Sequence, residues 1–260
     1  ATKQRWMALP DGESIDVTSD GDWNFPIGSV LVKQFSVDSL VVETRLFMRH
    51  SDGNWAGYSY AWNEEGTEAT LLNGAAQRDF SGTSWRYPSR SDCLQCHTPA
   101  AGGSLGLETV QLNGFHDYES GSALQLLTLE HIGVVDLSAD LSSLPSLSPR
   151  SDQASSARSL LHVNCSGCHR PESTGGGELD LRWDRKLDEM GGCGEPPEHG
   201  DIGVSSGLII APGDPARSIL SQRMHATDHA RMPPLGTVEV DVEGVASVDA
   251  WIGQLQSCAD

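Results

Sequence analysis

Positive charge is scarce in this chain. Its 260 residues hold 17 Lys and Arg against 36 Asp and Glu, a formal net charge of −19. Nucleic-acid binding needs a basic footprint, so that class of partner is excluded. The deficit is not confined to a tail: residues 1–150 carry 9 basic against 19 acidic side chains, and residues 151–260 carry 8 against 17. Acidity spread this evenly suits solubility and cationic partners. Long apolar runs are also missing. None approaches the roughly 18 residues of a membrane-crossing helix, so no transmembrane segment is expected. No sequence repeat recurs at a fixed period. Cysteine is rare too, with six in all, and the placement of those six is the most informative feature.

Four of the six fall in two copies of one pattern, Cys93-Leu94-Gln95-Cys96-His97 and Cys165-Ser166-Gly167-Cys168-His169. Cys-x-x-Cys-His is the attachment signature of c-type haem. Residues i and i+3 of a helical turn share a face, so both thiols can add to the vinyl groups of one porphyrin. The adjoining histidine then supplies the proximal nitrogen to iron. The expectation is two haem c groups, held covalently by Cys93, Cys96, Cys165 and Cys168, with His97 and His169 as proximal ligands. A four-thiolate zinc knot is the plainer alternative. It is disfavoured by the long span from Cys96 to Cys165, against roughly 15–20 residues in a zinc ribbon. Zinc also gives no reason for a histidine after both pairs. A thioredoxin-like dithiol would follow a strand in a βαβ pattern, which neither copy does.

Haem attachment of this kind takes place outside the cytoplasm. No leader is visible, so the expected form is a mature periplasmic or extracellular chain with its signal peptide removed. The remaining cysteines, Cys193 and Cys258, would pair in an oxidising compartment.

The first 85 residues read as β structure. Val30–Phe35 is rich in β-formers, and Leu40–Phe47 sets Val41, Val42 and Leu46 between charges. Tyr58, Tyr60 and Trp62 alternate with small residues, the period of a half-buried strand, and that stripe reads as sheet core. Ser51-Asp52-Gly53-Asn54 reads as a hairpin tip. A helix is expected at about 120–133, with Leu124, Leu127 and His131 facing inward. The Ser, Leu and Pro of 136–151 read as a linker. Helical patterns then lead into the second motif, recur over 216–225, and close the chain at about 241–256. The expected fold class is α+β: a β-rich domain at 1–140 carrying the first haem, and an all-α, cytochrome c-like domain at 150–260 carrying the second.

Met232 lies in Arg231-Met232-Pro233-Pro234-Leu235-Gly236, where two prolines fix a loop downstream of the second motif. It is the expected sixth ligand of the second haem, with Met224, His225 and His229 as rivals. For the first haem the sixth ligand is expected at His131, with His50, His116 and Met48 as alternatives.

Several further stretches carry a family resemblance: Phe25-Pro26-Ile27-Gly28-Ser29-Val30-Leu31-Val32-Lys33, Glu43-Thr44-Arg45-Leu46, Tyr87-Pro88-Ser89-Arg90-Ser91-Asp92-Cys93, Leu105-Gly106-Leu107-Glu108-Thr109, Leu161-His162-Val163-Asn164-Cys165 and Pro212-Gly213-Asp214-Pro215. With these, nearly the whole chain resembles a bacterial family of c-type di-haem proteins. That family is found alone or fused to quinoprotein sugar dehydrogenases of the sorbosone dehydrogenase type. The resemblance implies electron transfer without a known physiological partner. Two haems in one short chain suggest a relay of single electrons between redox partner proteins, with no bond-making at a substrate, and self-association into a polymer is a further option. No dehydrogenase sequence accompanies it, so sugar oxidation does not carry over. The alternatives are a di-haem peroxidase, which needs an open sixth position and a nearby acid-base group, and an electron-accepting module docked on a quinoprotein dehydrogenase.

Overall fold

In the computed structural model the described residues are 1–18, 21–80, 82–137, 146 and 152–259. The chain forms two compact units, Ala1–Ser146 and Leu147–Asp260. Most of the linker segment read at 136–151 lies outside the described residues.

In the first unit the strands are β1 (Thr2–Ala8), β2 (Ile15–Val17), β3 (Trp23–Asn24), β4 (Val30–Val37), β5 (Leu40–Arg49), β6 (Trp55–Trp62), β7 (Ala69–Leu71), β8 (Ala76–Phe80) and β9 (Thr83–Tyr87). Next come α1 (Arg90–Cys96), α2 (Thr109–Leu112), β10 (Phe115–Tyr118), β11 (Gly121–Leu124), α3 (Gln125–His131) and β12 (Val135–Asp136). A five-stranded antiparallel sheet in the order β1-β4-β5-β6-β7 is the platform. Three small sheets surround it: β12-β2-β3, β8-β9 and β10-β11. The β5–β6 connection is a tight turn, where Gly53 N–H reaches His50 O and the Asp52 carboxylate accepts from Asn54 N–H.

Two expectations for this unit are corrected. On β6 the buried side chains are Gly57, Ser59 and Ala61, whereas Tyr58, Tyr60 and Trp62 are only half-buried. The small residues face inward because α1 is laid close against them. A Cβ on Gly57 would stand 2.6 Å from Cys93 Sγ. Second, the helix expected at about 120–133 is shorter, because β11 occupies its first turn. Its inward residue is Leu126, which packs with Ile15, Trp23, Phe25 and Val135. Leu127 is 42% exposed and His131 is exposed.

The second unit is not the all-α, cytochrome c-like domain that was expected. Its α-helices are α4 (Gln153–Cys165), α5 (Ile219–His225) and α6 (Val242–Gln254), of 13, 7 and 13 residues. Between α4 and α5 the chain runs as turns, loops and short 3-10 turns, with isolated parallel bridges at Cys193–Ile210 and Leu208–Ser218. Glycine explains the lack of helix. Gly176, Gly177, Gly191, Gly194, Gly200 and Gly203 all hold positive φ, a conformation that helices do not contain. With four sheets in the first unit and short helices here, the chain as a whole is β-rich.

The loops of the second unit are nonetheless well anchored. Leu161, Met190, Ile210, Val248, Trp251 and Ile252 form the centre of its core. The Arg158 guanidinium, on α4, donates to Arg182 O at 2.8 Å and Arg185 O at 2.7 Å. Cys193 and Cys258 are disulfide-bonded. Ser221 and His225 on α5 both bind Asp249 on α6, at 2.6 and 2.8 Å.

Candidate functional site

The two Cys-x-x-Cys-His segments fold alike. Ser89 and Asp92 make a reciprocal capping box that starts α1 one turn before the first cysteine. His97 N–H then donates to Cys93 O at 3.0 Å. In the second copy Asp152 caps α4, which runs out at Cys165. There His169 N–H donates to Cys165 O at 2.8 Å, and Cys168 N–H to the same oxygen at 3.0 Å. Each copy is therefore a single helical turn with its histidine at the turn's C-terminal end. No disulfide joins the thiols within either copy, and all four are half-buried.

Around the first copy a closed set of contacts fixes the imidazole. The His97 ring lies 4.1 Å from Phe47, which stacks on Trp55 at 5.1 Å. Trp55 in turn packs on Gly103, where a Cβ would fall 2.5 Å from the indole. The Gly103 carbonyl is 2.7 Å from His97 Nδ1. A carbonyl only accepts, so Nδ1 carries the proton and Nε2 keeps its lone pair. Burial holds His97 down at about 4, so the ring is neutral at ordinary pH. A neutral imidazole with its Nδ1–H fixed by a carbonyl is the state an iron ligand needs. Gly103 thus brings backbone against the histidine ring.

The second copy is supported by loops. Gly175 N–H donates to Cys168 O at 2.9 Å, and Leu181 N–H donates to His169 O at 2.9 Å. A Cβ on Gly175 would lie 2.5 Å from Cys168 O and 2.8 Å from His169 Nδ1. That nitrogen is buried and has no hydrogen-bond partner among the described residues. Burial also lowers the basicity of His169. His162, three residues before the second motif, has its Nδ1 near Ser166 Oγ and Trp183 N–H.

Burial pushes the Cys165 thiol up to about 12 and raises Cys93 as well. Such thiols are poor redox nucleophiles. Among the described residues no three His, Cys, Asp or Glu side chains gather as a metal cage. A haem iron draws most of its bonds from the porphyrin and needs no such cage. Two thiols and a neutral imidazole on one turn, backed by a glycine that leaves no room for a side chain, fit haem c in both places.

The other ligand candidates separate. Met232 is half-buried, and its N–H donates to Arg223 O at 2.8 Å, tying its loop to the end of α5. His225 Nε2 is engaged by Asp249, His229 is 95% exposed, and Met224 packs against the core. Met232 and Met224 are both half-buried, and Met232 lies on the loop downstream of α5. In the first unit His131 sits exposed at the end of α3, and no hydrogen bond or ring contact joins it to His97. His50 Nε2 is 3.0 Å from Tyr58 Oη, and the exposed His116 packs edge-on against Tyr118. Among the described residues none of these three makes a hydrogen bond or ring contact with His97. A residue that sequence reading passed over is Met7. It is half-buried and lies in the cross-strand row Met7–Leu31–Phe47–Gly57 that carries the His97 contact. Nothing in its local sequence marks it, since the row exists only through pairing.

Among the described residues no helix is long and apolar enough to cross a membrane. Compared with family models, curated proteins and solved structures, the chain gives no match.

Proposed function

We propose that this chain is a di-haem c-type electron-transfer protein. Cys93 and Cys96 would tether one haem, with His97 as proximal ligand; Cys165, Cys168 and His169 would do the same for the other. The reading rests above all on His97. Its proton is fixed on Nδ1 by Gly103 O and its Nε2 lone pair stays available, on the same turn as the Cys93 and Cys96 thiols, neither of which is in a disulfide. When bound, the haem iron supplies a one-electron couple whose potential the axial ligands and burial set.

The chain's own residues do the rest. Phe47 and Trp55 wall the first site in apolar rings, and Gly57 lets α1 lie close on the sheet. Met232 is the proposed sixth ligand of the second haem, and a thioether raises the potential relative to a second imidazole. Two haems in one chain make a relay between redox partner proteins outside the cytoplasm. A role as a polymerised subunit is compatible with the same sites. The resemblance to proteins fused to sorbosone-dehydrogenase-type quinoproteins agrees with this reading.

A redox titration of wild type and Met232→Ala tests the assignment. Two one-electron waves are expected, of which Met232→Ala lowers only the upper. If both waves stay where they were, Met232 is not a ligand. If no haem wave exists at all, the reading is wrong.

A further inference from the structure

We propose that Arg5 and Lys33 form the binding site for the carboxylate arms of the first haem; the inference rests on the di-haem reading above. The first unit is poor in cations, yet Lys3, Arg5, Lys33 and Arg45 share one face of its main sheet. Arg5 pairs with Lys33, Lys33 with Arg45, and Arg45 with Ser59. Directly opposed residues point to the same face, so three cations stand in a line across β1, β4 and β5. The next row along the strands is Met7–Leu31–Phe47–Gly57, which carries the His97 and Cys93 contacts.

This arrangement is costly unless an anion completes it. Arg45 is compensated: its guanidinium grips the buried Glu43 carboxylate at 2.7 and 2.8 Å. Lys33 and Arg5 have no carboxylate within ion-pair distance among the described residues. Lys33 is half-buried over the Phe35 ring and faces like charges on both sides, which together with burial lowers it to about 8. A half-buried cation held beside cations is the complement of a dianion.

The distances suit a porphyrin. From Gly57, beside Cys93, Lys33 is two strands and one row away, on the order of 12 Å from strand spacing and rise. The propionates leave the macrocycle on the edge opposite the vinyl groups that cysteines take. A haem tethered at Cys93 and Cys96 therefore has its carboxylates about one ring-width from the thiols; Lys33 stands at that range and the longer, exposed Arg5 reaches in from one strand beyond it. Apolar residues flank the cation row on either side, Phe35 and Trp85 in one cluster, Met7, Leu31 and Trp55 in the other.

The test uses the full-length haem-loaded protein. Resonance Raman spectra of wild type, Lys33→Met, Arg5→Gln, Lys33→Arg and the control Lys186→Gln report the propionate bending bands directly. Lys33→Met and Arg5→Gln should each shift one propionate band and lower one of the two reduction waves, because a lost cation favours ferric iron. Lys33→Arg should restore the wild-type band, and Lys186→Gln should move nothing. Unchanged propionate bands in both Lys33→Met and Arg5→Gln, with two haems still attached, would overturn this inference and leave the di-haem reading intact. A wild-type protein with no covalent haem would overturn both. Arg5 is exposed, so its variant keeps the test open if Lys33→Met does not fold.

Discussion

Around Cys93 the support is a sheet, and around Cys165 it is loop. The first motif is laid on β6, its histidine clamped between a sheet residue, Phe47, and the Gly103 carbonyl, with Trp55 packed between Phe47 and Gly103. The second motif hangs from the end of α4 and is wrapped by chain that contains almost no regular structure. The same turn, with the same histidine-to-cysteine hydrogen bond, is thus stabilised in two ways. Sheet pairing distributes the load over many backbone bonds. The loop-built site depends on a few single anchors: one disulfide, one half-buried arginine and one close glycine. The contrast implies that the second site should be the more fragile to point changes, and that the damage should stay within its own unit.

Breaking the disulfide tests this most severely. Cys193 and Cys258 are 65 residues apart, and opening a loop of that length costs about 4 kcal/mol in the chain-entropy account. Cys193→Ala with Cys258→Ala should lower the urea midpoint of the second unit and leave that of the first unchanged. A common shift of both transitions would remove the contrast. Arg158→Met should come next. It strips the donor from the carbonyls of Arg182 and Arg185, a loss of about 3 kcal/mol for buried groups left unpaired. Denaturation followed separately through the two haem bands would show which site loosens first, and the second is expected.

The glycines sharpen the comparison at smaller amplitude. Gly57→Ala meets a side-chain sulfur, whereas Gly175→Ala meets the backbone carbonyl of Cys168 and the His169 ring. Overpacking of this kind costs about 1–3 kcal/mol. Sulfur can turn aside and a carbonyl in a hydrogen-bonded turn cannot, so Gly175→Ala should sit at the upper end. Equal losses of haem incorporation in the two variants would mean that support does not matter.

The sequence made part of this legible and hid the rest for physical reasons. Local spacing revealed what lies within one turn: the thiols, their histidines, the Ser51–Asn54 tip and the apolar seam of α6 with Val245, Val248, Trp251 and Ile252. The strands β4, β5 and β6 were readable from β-former content and alternation. What alternation could not decide is which side is covered. Tyr58, Tyr60 and Trp62 look like core, but a helix pressed on Gly57, Ser59 and Ala61 reverses the sides. The inward placement of Leu127 and His131 failed for a similar reason, since β11 displaces the first turn of the helix and turns Leu126 inward. The all-α expectation for the second unit came from its three helical stretches and overlooked the positive-φ glycines between them. The cation row and Met7 are products of cross-strand register, and no window of contiguous sequence contains them.

The central claim is that each turn holds one porphyrin by two thioether bonds. Intact mass spectrometry under denaturing conditions tests it most directly, on wild type and on the pairs Cys93→Ser with Cys96→Ser and Cys165→Ser with Cys168→Ser. The account predicts a wild-type chain heavier by two haems and each double variant heavier by one. A wild-type mass equal to that of the bare polypeptide, or zinc recovered in place of iron, would contradict it.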